Sequence, residues 1–305
     1  MKNVIVIGAD GFLGSHLVNQ LSIKGKRIMA LFFDKSRLLN IENSQNVEYK
    51  HFSFENILDI NGEGYDTIYH MAWEGVNSMH RNDVILQIKN IQYGIIVLDF
   101  AKKNNIRRVI FPGSAAEASC NDGVIRGNSV PAPSDIYSAS KVANRYICQT
   151  YAHQLGLDFI YTLITSIYGP GRDDNNILSY TIKTLLKGKC PSFTKLEQTW
   201  DFLYIDDLIA ALIALGEKGI GGKVYPIGSG TSRKLGDYIM FIRDTINPNL
   251  SLGIGNLPYK NAIVDNQILD ITDLINDTGF TPKISFEEGI MDMIQYYKNL
   301  SNEEG

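Results

Sequence analysis

Over the first two thirds of the chain, short runs of β-branched and other apolar residues alternate with longer amphipathic stretches, the pattern of parallel strands joined by helices. The runs Val4–Ile7, Arg27–Phe33, Val47–Phe52, Thr67–Met71, Arg108–Phe111 and Phe159–Thr165 are predicted strands. The stretches Phe12–Lys24, Asp83–Asn104, Ser138–Leu155, Asn176–Leu186 and Asp206–Leu215 are predicted helices. This order predicts an α/β protein with a doubly wound parallel sheet. From Tyr168 the pattern changes, with a Gly-Pro-Gly turn at Gly169–Gly171 opening a polar, loop-rich segment that runs to Trp200. A return helix and the strand Val224–Ile227 follow, and glycine, proline and asparagine cluster in predicted surface loops at Gly123–Pro133 and Gly253–Pro258. No internal repeat or low-complexity tract is present. The main body is therefore expected to comprise residues 1–165 and 201–228, and a smaller, mainly C-terminal lobe residues 166–200 and 229–305.

Length agrees with this division, since 305 residues is near two domains of roughly 150 residues each. The 29 Lys+Arg against 33 Asp+Glu leave a net charge of −4, too weak a basic field to hold a nucleic-acid backbone. In the second half the longest uncharged apolar run, Leu208–Gly216, is far short of the ~20 residues that span a bilayer. Val4–Ile7 is too short for a signal-peptide core. A cytoplasmic protein with no membrane segment is the expectation. Cys120, Cys148 and Cys190 lie far apart and read as reduced thiols. The histidines His16, His51, His70, His80 and His153 show no ligand spacing, so no metal is expected, and His70 on an apolar strand reads as a satisfied core histidine.

Two constellations carry chemistry. Between the first strand and the first helix stand Gly8, Gly11 and Gly14, with Phe12 and Leu13 between the last two. Gly8 and Gly11 allow a sharp turn that approaches a pyrophosphate, Gly14 lets the helix pack closely, and the helix N-terminus faces the anion. This is a dinucleotide-binding turn of the Rossmann type, spaced G-x-x-G-x-x-G rather than G-x-G-x-x-G. The second constellation is Tyr137 and Lys141, at i and i+4 on one helical face, with Ser114 just beyond the strand Arg108–Phe111. A cation beside a phenol favours the phenolate and lowers the tyrosine pKa toward working pH, which makes it a usable general acid or base. Ser114 reaches in to hydrogen-bond the reacting oxygen.

Together these motifs resemble the extended short-chain dehydrogenase/reductases that act on nucleotide-activated sugars, and the resemblance covers nearly the whole chain. Tyr69 to Trp73 is similar to the family's nicotinamide-side strand end, Ile167 to Pro170 to its Tyr-Gly-Pro turn, and Asp201 to Asp207 to its segment entering the return helix. Tyr225 to Gly230, Thr278 to Pro282 and Phe286 to Gly289 match its later pattern. The resemblance implies an NAD(H)- or NADP(H)-dependent enzyme acting on a nucleotide-diphosphate sugar, as a homodimer packed through the helices near Asp83–Asn104 and Ser138–Leu155. It implies that Tyr137 moves the proton at a sugar hydroxyl, that Lys141 also holds the nicotinamide ribose, and that Ser114 orients the sugar oxygen. Ala72 and Trp73 would line the cofactor cleft, and Thr165, Ser166, Asn176, Trp200 and Arg233 the sugar side.

Departures from the family pattern narrow the chemistry. Members that dehydrate carry Asp-Glu after the active-site hydroxyl residue, where this chain has Ala115 and Ala116; 3,5-epimerising members use a cysteine at the position of Ala116. Glu117, one residue further on, reads as a structural or rim carboxylate. What remains is chemistry at one carbon, sugar C4, either as a 4-ketoreductase on a 4-keto-6-deoxy sugar, toward which the Trp200 segment points, or as a 4-epimerase. A catalytically silent sensor that keeps the cofactor pocket stays open as another class. Trp200 stands where relatives place an arginine for the diphosphate, leaving Arg233, Arg172 and Lys183 as candidate cations. The residue that grips the adenine ribose falls at Phe32, with Asp34 two positions later and Lys35 and Arg37 after it, and Ser53 stands near a third-strand acid position. Lys35 and Arg37 suit a 2′-phosphate, so NADP(H) is expected to be accepted at least as well as NAD(H).

Overall fold

The computed structural model describes residues 1–305 except 41–43, 78, 119–121, 173–175, 260–267 and 304–305. A seven-stranded parallel sheet forms its centre, built from β1 (Asn3–Ile7), β2 (Arg27–Phe32), β3 (Val47–His51), β4 (Thr67–His70), β5 (Arg108–Ser114), β6 (Asp158–Ile164) and β7 (Val224–Ile227). Their order across the sheet is β7-β6-β5-β4-β1-β2-β3, all neighbours parallel. Helices cover both faces, so the central strands are apolar at almost every position, and Val4, Ile5, Val6 and Ile7 are wholly buried. β3, at one edge, reads Val-Glu-Tyr-Lys-His and is only partly covered. Chain order reverses between β1 and β4, and in such sheets the ends of the strands at that point diverge into a binding crevice.

The predicted strands all form. The largest difference is in β5, which continues through Pro112 to Ser114 in register with Thr162–Ile164. Proline offers no N–H to a ladder and normally argues against a central strand.

The helices α1 (Phe12–Ile23), α2 (Val84–Lys103), α3 (Ile136–Leu155), α4 (Ile177–Leu186) and α5 (Ile205–Lys218) correspond to the predicted ones. Asp83 caps α2 by accepting from the Leu86 N–H at 3.1 Å, and Asp135 caps α3 through the Ser138 N–H at 2.7 Å. The Ser138 hydroxyl accepts from the Asp135 N–H at 3.2 Å, completing a capping box. That box starts α3 two residues earlier than the hydrophobic pattern suggests and puts Tyr137 in its first turn. By length and composition α2 has the apolar character of a bilayer span, which the expectation of no membrane segment overlooked. In the fold, its Asn90, Gly94, Val97, Leu98 and Phe100 are buried, and it packs along α3.

Three helices were not foreseen: α6 (Leu235–Ile246), α7 (Thr272–Thr278) and α8 (Phe286–Glu303). Together with α4, helices α6 and α8 close over a cluster of aromatic rings that includes Tyr168, Phe202, Tyr238 and Phe286, while α7 packs against α5 and β7. The Asp207 carboxylate accepts from the Lys283 and Ile284 N–H groups at 2.9 and 2.8 Å, fixing the segment that leads into α8. Cys148 and Cys190 are free thiols, and Cys120 lies outside the described residues. His70 is buried among Phe54 and Phe111 as expected of a core histidine, but among the described residues its Nδ1 has no hydrogen-bond partner. Burial lowers its pKa to about 3 and keeps the ring neutral.

Candidate active site

The turn from β1 to α1 is shaped by two glycines. Gly8 has φ +82°, and a Cβ there would lie 2.8 Å from the Ala72 nitrogen; a Cβ on Gly14 would lie 2.0 Å from the Gly8 carbonyl oxygen. Gly8 is therefore pressed against the end of β4, and α1 against the turn itself, so neither position admits a side chain. Gly11, with φ −84°, is the helix N-cap and supplies no side chain to the first-turn amides, and the first turn holds no acidic residue. These N–H groups stay available to an anion, and the absence of Cβ atoms lets it approach the backbone. A dinucleotide pyrophosphate fits this cradle. Asp10, 7% exposed, ties the turn to the end of β2 by accepting from the Asp34 N–H at 3.1 Å, a link that sequence reasoning missed. Phe32 ends β2 and is buried, whereas Asp34, Lys35 and Arg37 are exposed. The Asp34 carboxylate accepts from the Ser36 N–H at 2.9 Å and the Ser36 hydroxyl at 2.7 Å, which holds its pKa below the ordinary value.

At the neighbouring strand ends the second constellation assembles. Ser114 closes β5, Tyr137 stands in the first turn of α3 and Lys141 one turn on, and the last two are nearly buried. Lys141 Nζ donates to the Pro112 carbonyl at 2.8 Å and lies 3.7 Å from the centre of the Trp73 ring. Trp73 packs edge-to-face with Tyr137, and its Nε1 donates to Gln87 Oε1 at 3.0 Å. The electrostatics differ from expectation. Burial pushes the Tyr137 phenol up to about 12, and the strongest cation opposing this is Arg81, whose guanidinium lies 4.1 Å over the ring. Lys141 Nζ is 5.8 Å from that ring. Arg81 also pairs with Asp135, the N-cap of α3. No local pattern near residue 81 announces this, because it depends on the loop after β4 returning to the start of α3.

Beneath the trio lies Glu117, fully buried and therefore a structural rather than a rim carboxylate. Its Oε1 accepts from the Ser114 N–H at 2.7 Å and from the Tyr161 hydroxyl at 3.0 Å, while Oε2 is buried without a hydrogen-bond partner among the described residues. Burial raises the Glu117 pKa, against its hydrogen bond from Ser114 and the charge of Lys141. Burial likewise lowers that of Lys141 to about 7, opposed by Glu117. Each group makes the other's charge less costly.

Beyond the end of β6, whose Ile164 pairs with Ser114, lies a cavity of about 320 Å³ lined by Ser166, Arg172, Asn176, Trp200 and Phe202, among others. Trp200 Nε1 donates to Ser166 Oγ at 2.9 Å. Asn176 caps α4, its Oδ1 accepting from the Leu178 and Ser179 N–H groups at 3.0 Å. Thr165 donates to the Asp201 carbonyl at 2.8 Å and does not line the cavity. Arg233, expected on the sugar side, does not line it either: it pairs with Glu287 at 2.7 Å and stacks over Tyr238. Lys183, its ammonium 5.0 Å from the Tyr297 ring centre, is likewise outside. Of the three cations considered for a diphosphate, Arg172 alone is at the cavity; it also lies 5.8 Å from the ring centre of Phe12, at the start of α1.

Fold and site thus define a protein of the Rossmann class with a Ser/Tyr/Lys constellation at the strand ends beside its glycine turn. Residues 4–228 match the NAD-dependent epimerase/dehydratase family, and the chain belongs to that family. Its cofactor is NAD(H) or NADP(H), and the family's substrates are nucleotide sugars. Similar proteins include an uncharacterized UDP-glucose epimerase, YtcB, of Bacillus subtilis (strain 168), 26% identical across 97% of this chain and 98% of that protein. Among solved structures, the UDP-glucose 4-epimerase of Thermotoga maritima with UDP-glucose superposes with a TM-score of 0.88 at 22% identity, covering 98% of this chain and 99% of that one. The dTDP-glucose 4,6-dehydratase of Bacillus anthracis in complex with NAD gives 0.85 at 19% identity, covering 99% and 98%. At these identities the two likenesses establish the fold.

Proposed function

We propose that the protein carries out oxidoreduction at a single carbon, C4, of a nucleotide-activated sugar, with Tyr137 moving the proton at the sugar oxygen, Ser114 orienting that oxygen and Lys141 supplying positive charge beside them. The observation that carries this reading is the commitment of Glu117. With Ala115 and Ala116 preceding it, Glu117 is the one carboxylate of that segment, and it is buried in hydrogen bonds to Ser114 and Tyr161. No second acid/base pair stands beside Ser114 in residues 115–117 to remove water or to invert a neighbouring carbon. The glycine cradle, the α1 N-terminus, Ala72, Trp73 and Lys141 would hold the dinucleotide, whose nicotinamide supplies or accepts the hydride when bound.

Within this chemistry the reading favoured is a ketoreductase acting on a 4-keto-6-deoxy nucleotide sugar. An enzyme that inverts C4 must turn the sugar over within its site. Trp200, pinned by its bond to Ser166 in a cavity of about 320 Å³, narrows the room for that movement. The second reading, a 4-epimerase, is favoured by the names of the relatives. Incubation with a 4-keto-6-deoxy nucleotide sugar and reduced cofactor is expected to consume one reduced cofactor per sugar, read as absorbance of the nicotinamide. Interconversion of UDP-glucose and UDP-galactose with no net consumption of reduced cofactor would replace this reading with the second.

The cofactor side gives a further expectation. Asp34 faces its own loop through Ser36, and Lys35 and Arg37 are exposed beside it. NADP(H) is expected to bind at least as tightly as NAD(H), and Arg37→Ala to weaken NADP(H) selectively. A titration showing NAD(H) preferred, unchanged in Lys35→Ala and Arg37→Ala and lost in Asp34→Ala, would instead put the aspartate in control.

A further inference from the structure

A second cavity, of about 630 Å³, opens at the far edge of the sheet, where β7 and α3 meet residues 126–129 and the start of α7. It shares no lining residue with the cavity at Ser166 and Trp200, and none with the Ser114, Tyr137 and Lys141 set. Tyr137, Lys141 and Arg145 follow one another at intervals of four along α3, so Arg145 stands one turn beyond the catalytic candidates, toward this edge.

Arg145 lines the cavity and is 3% exposed. Its guanidinium makes one hydrogen bond, to the Tyr146 hydroxyl at 3.4 Å, and lies 4.8 Å over the Tyr146 ring and 6.0 Å from that of Tyr161. Among the described residues it forms no ion pair. A guanidinium carries five donors in a planar fork, and although the buried Glu117 carboxylate acts on Arg145 through space, most of those donors have no hydrogen-bond acceptor among the described residues. The other cations of the cavity are already engaged, Arg126 with Asp122 at 2.7 Å and Lys223 with Asp277 at 2.7 Å. Arg145 thus keeps donors that an entering anion would satisfy. The lining also includes Asp270, which accepts from the Thr272 N–H at 3.0 Å and lies 3.7 Å from Arg126, and Asp273, 3.9 Å from Lys223; their remaining lone pairs repel a ligand anionic at both ends and accept from hydroxyl groups. A volume of about 630 Å³ suits a ligand larger than a lone oxyanion.

We infer that this edge cavity binds a phosphorylated sugar, free or within a mononucleotide, with the phosphate on Arg145 and the sugar hydroxyls toward Asp270 and Asp273. The site is independent of the cleft in which the reaction is proposed, and so is the inference.

The test is calorimetric titration of glucose 1-phosphate, UMP and inorganic phosphate into the full chain held saturated with NAD and UDP, which fill the cleft. At least one of the two sugar phosphates is expected to bind the unaltered protein at one added site and more tightly than inorganic phosphate. Arg145→Met is expected to weaken that binding at least tenfold, and Trp200→Leu, a cleft variant, to leave it unchanged. Glucose 1-phosphate binding alone identifies a free sugar phosphate as the ligand, and UMP binding alone a mononucleotide. Asp273→Ala, on the exposed rim of the cavity, provides a second variant should Arg145→Met fail to fold, with weakened binding expected from the lost acceptor for the sugar hydroxyls. Absence of an added site, binding indifferent to both cavity variants, loss in Trp200→Leu, or inorganic phosphate binding as tightly as the sugar phosphates would each overturn the assignment.

Discussion

Tyr137→Phe is expected to lower turnover by roughly 10²–10⁴-fold, the range that proton transfer by a placed side chain contributes, while dinucleotide binding stays intact. The two effects separate because of where the ring sits. Its edge-to-face contact with Trp73 and the guanidinium of Arg81 at 4.1 Å involve the ring rather than the hydroxyl, and phenylalanine retains the ring. The glycine cradle at Gly8 and Gly14 and the start of α1 belong to other strand ends and are untouched. Turnover of a 4-keto-6-deoxy nucleotide sugar and equilibrium titration of the cofactor measure the two quantities on one preparation. Undiminished turnover would remove Tyr137 from its role; loss of both together would mean that the phenol supports the cleft rather than the chemistry.

Glu117→Ala is expected to destabilise the protein by about 2–4 kcal/mol, since it leaves the Ser114 N–H and the Tyr161 hydroxyl without their acceptor and the buried Lys141 without its countercharge. For a chain of this size that corresponds to a fall in Tm of roughly 3–6 °C. Glu117→Gln keeps a carbonyl acceptor and should cost less, so equal losses in the two variants would show that the hydrogen bonds at Oε1 contribute little.

The same pair gives a pH signature. The Lys141 pKa is lowered by burial from 10.5 to about 7, so between those values the unfolded chain binds the proton that the folded chain has released. Stability from this group therefore rises with pH across the window from about 7 to 10.5 and is lost as pH falls through 7. Glu117, its pKa raised, acts oppositely and from lower pH, contributing stability below its ordinary 4.5 that is lost as pH rises through its folded value. Denaturant unfolding at several pH values should show the alkaline gain in the unaltered protein and its absence in Lys141→Met.

The architecture was legible because it rests on local and periodic signals. Apolar runs of four to seven residues between amphipathic stretches specify buried parallel strands, and all seven sheet strands, with five of the helices, lie where those signals put them. The glycine turn was legible for a related reason: a positive φ at Gly8 and a helix pressed onto its carbonyl at Gly14 exclude every other residue type, so the sequence must display them. Tyr137 and Lys141 share a face by helical spacing alone, and Ser114 follows from its place at a strand end.

Tertiary structure decided what depends on approach between distant segments. Arg81 reaches Tyr137 from the loop after β4, Glu117 is drawn under Ser114 and Tyr161, and Arg172 rather than Arg233 comes to the cavity because Glu287, on α8, engages Arg233. Lys141 was correctly placed by spacing, yet the charge felt by the phenol was not, because burial and the Arg81 guanidinium outweigh a nearby position on the same helix. Spacing along a chain fixes which side chains share a face; desolvation and countercharge are set by everything that packs against that face, and these belong to the folded protein.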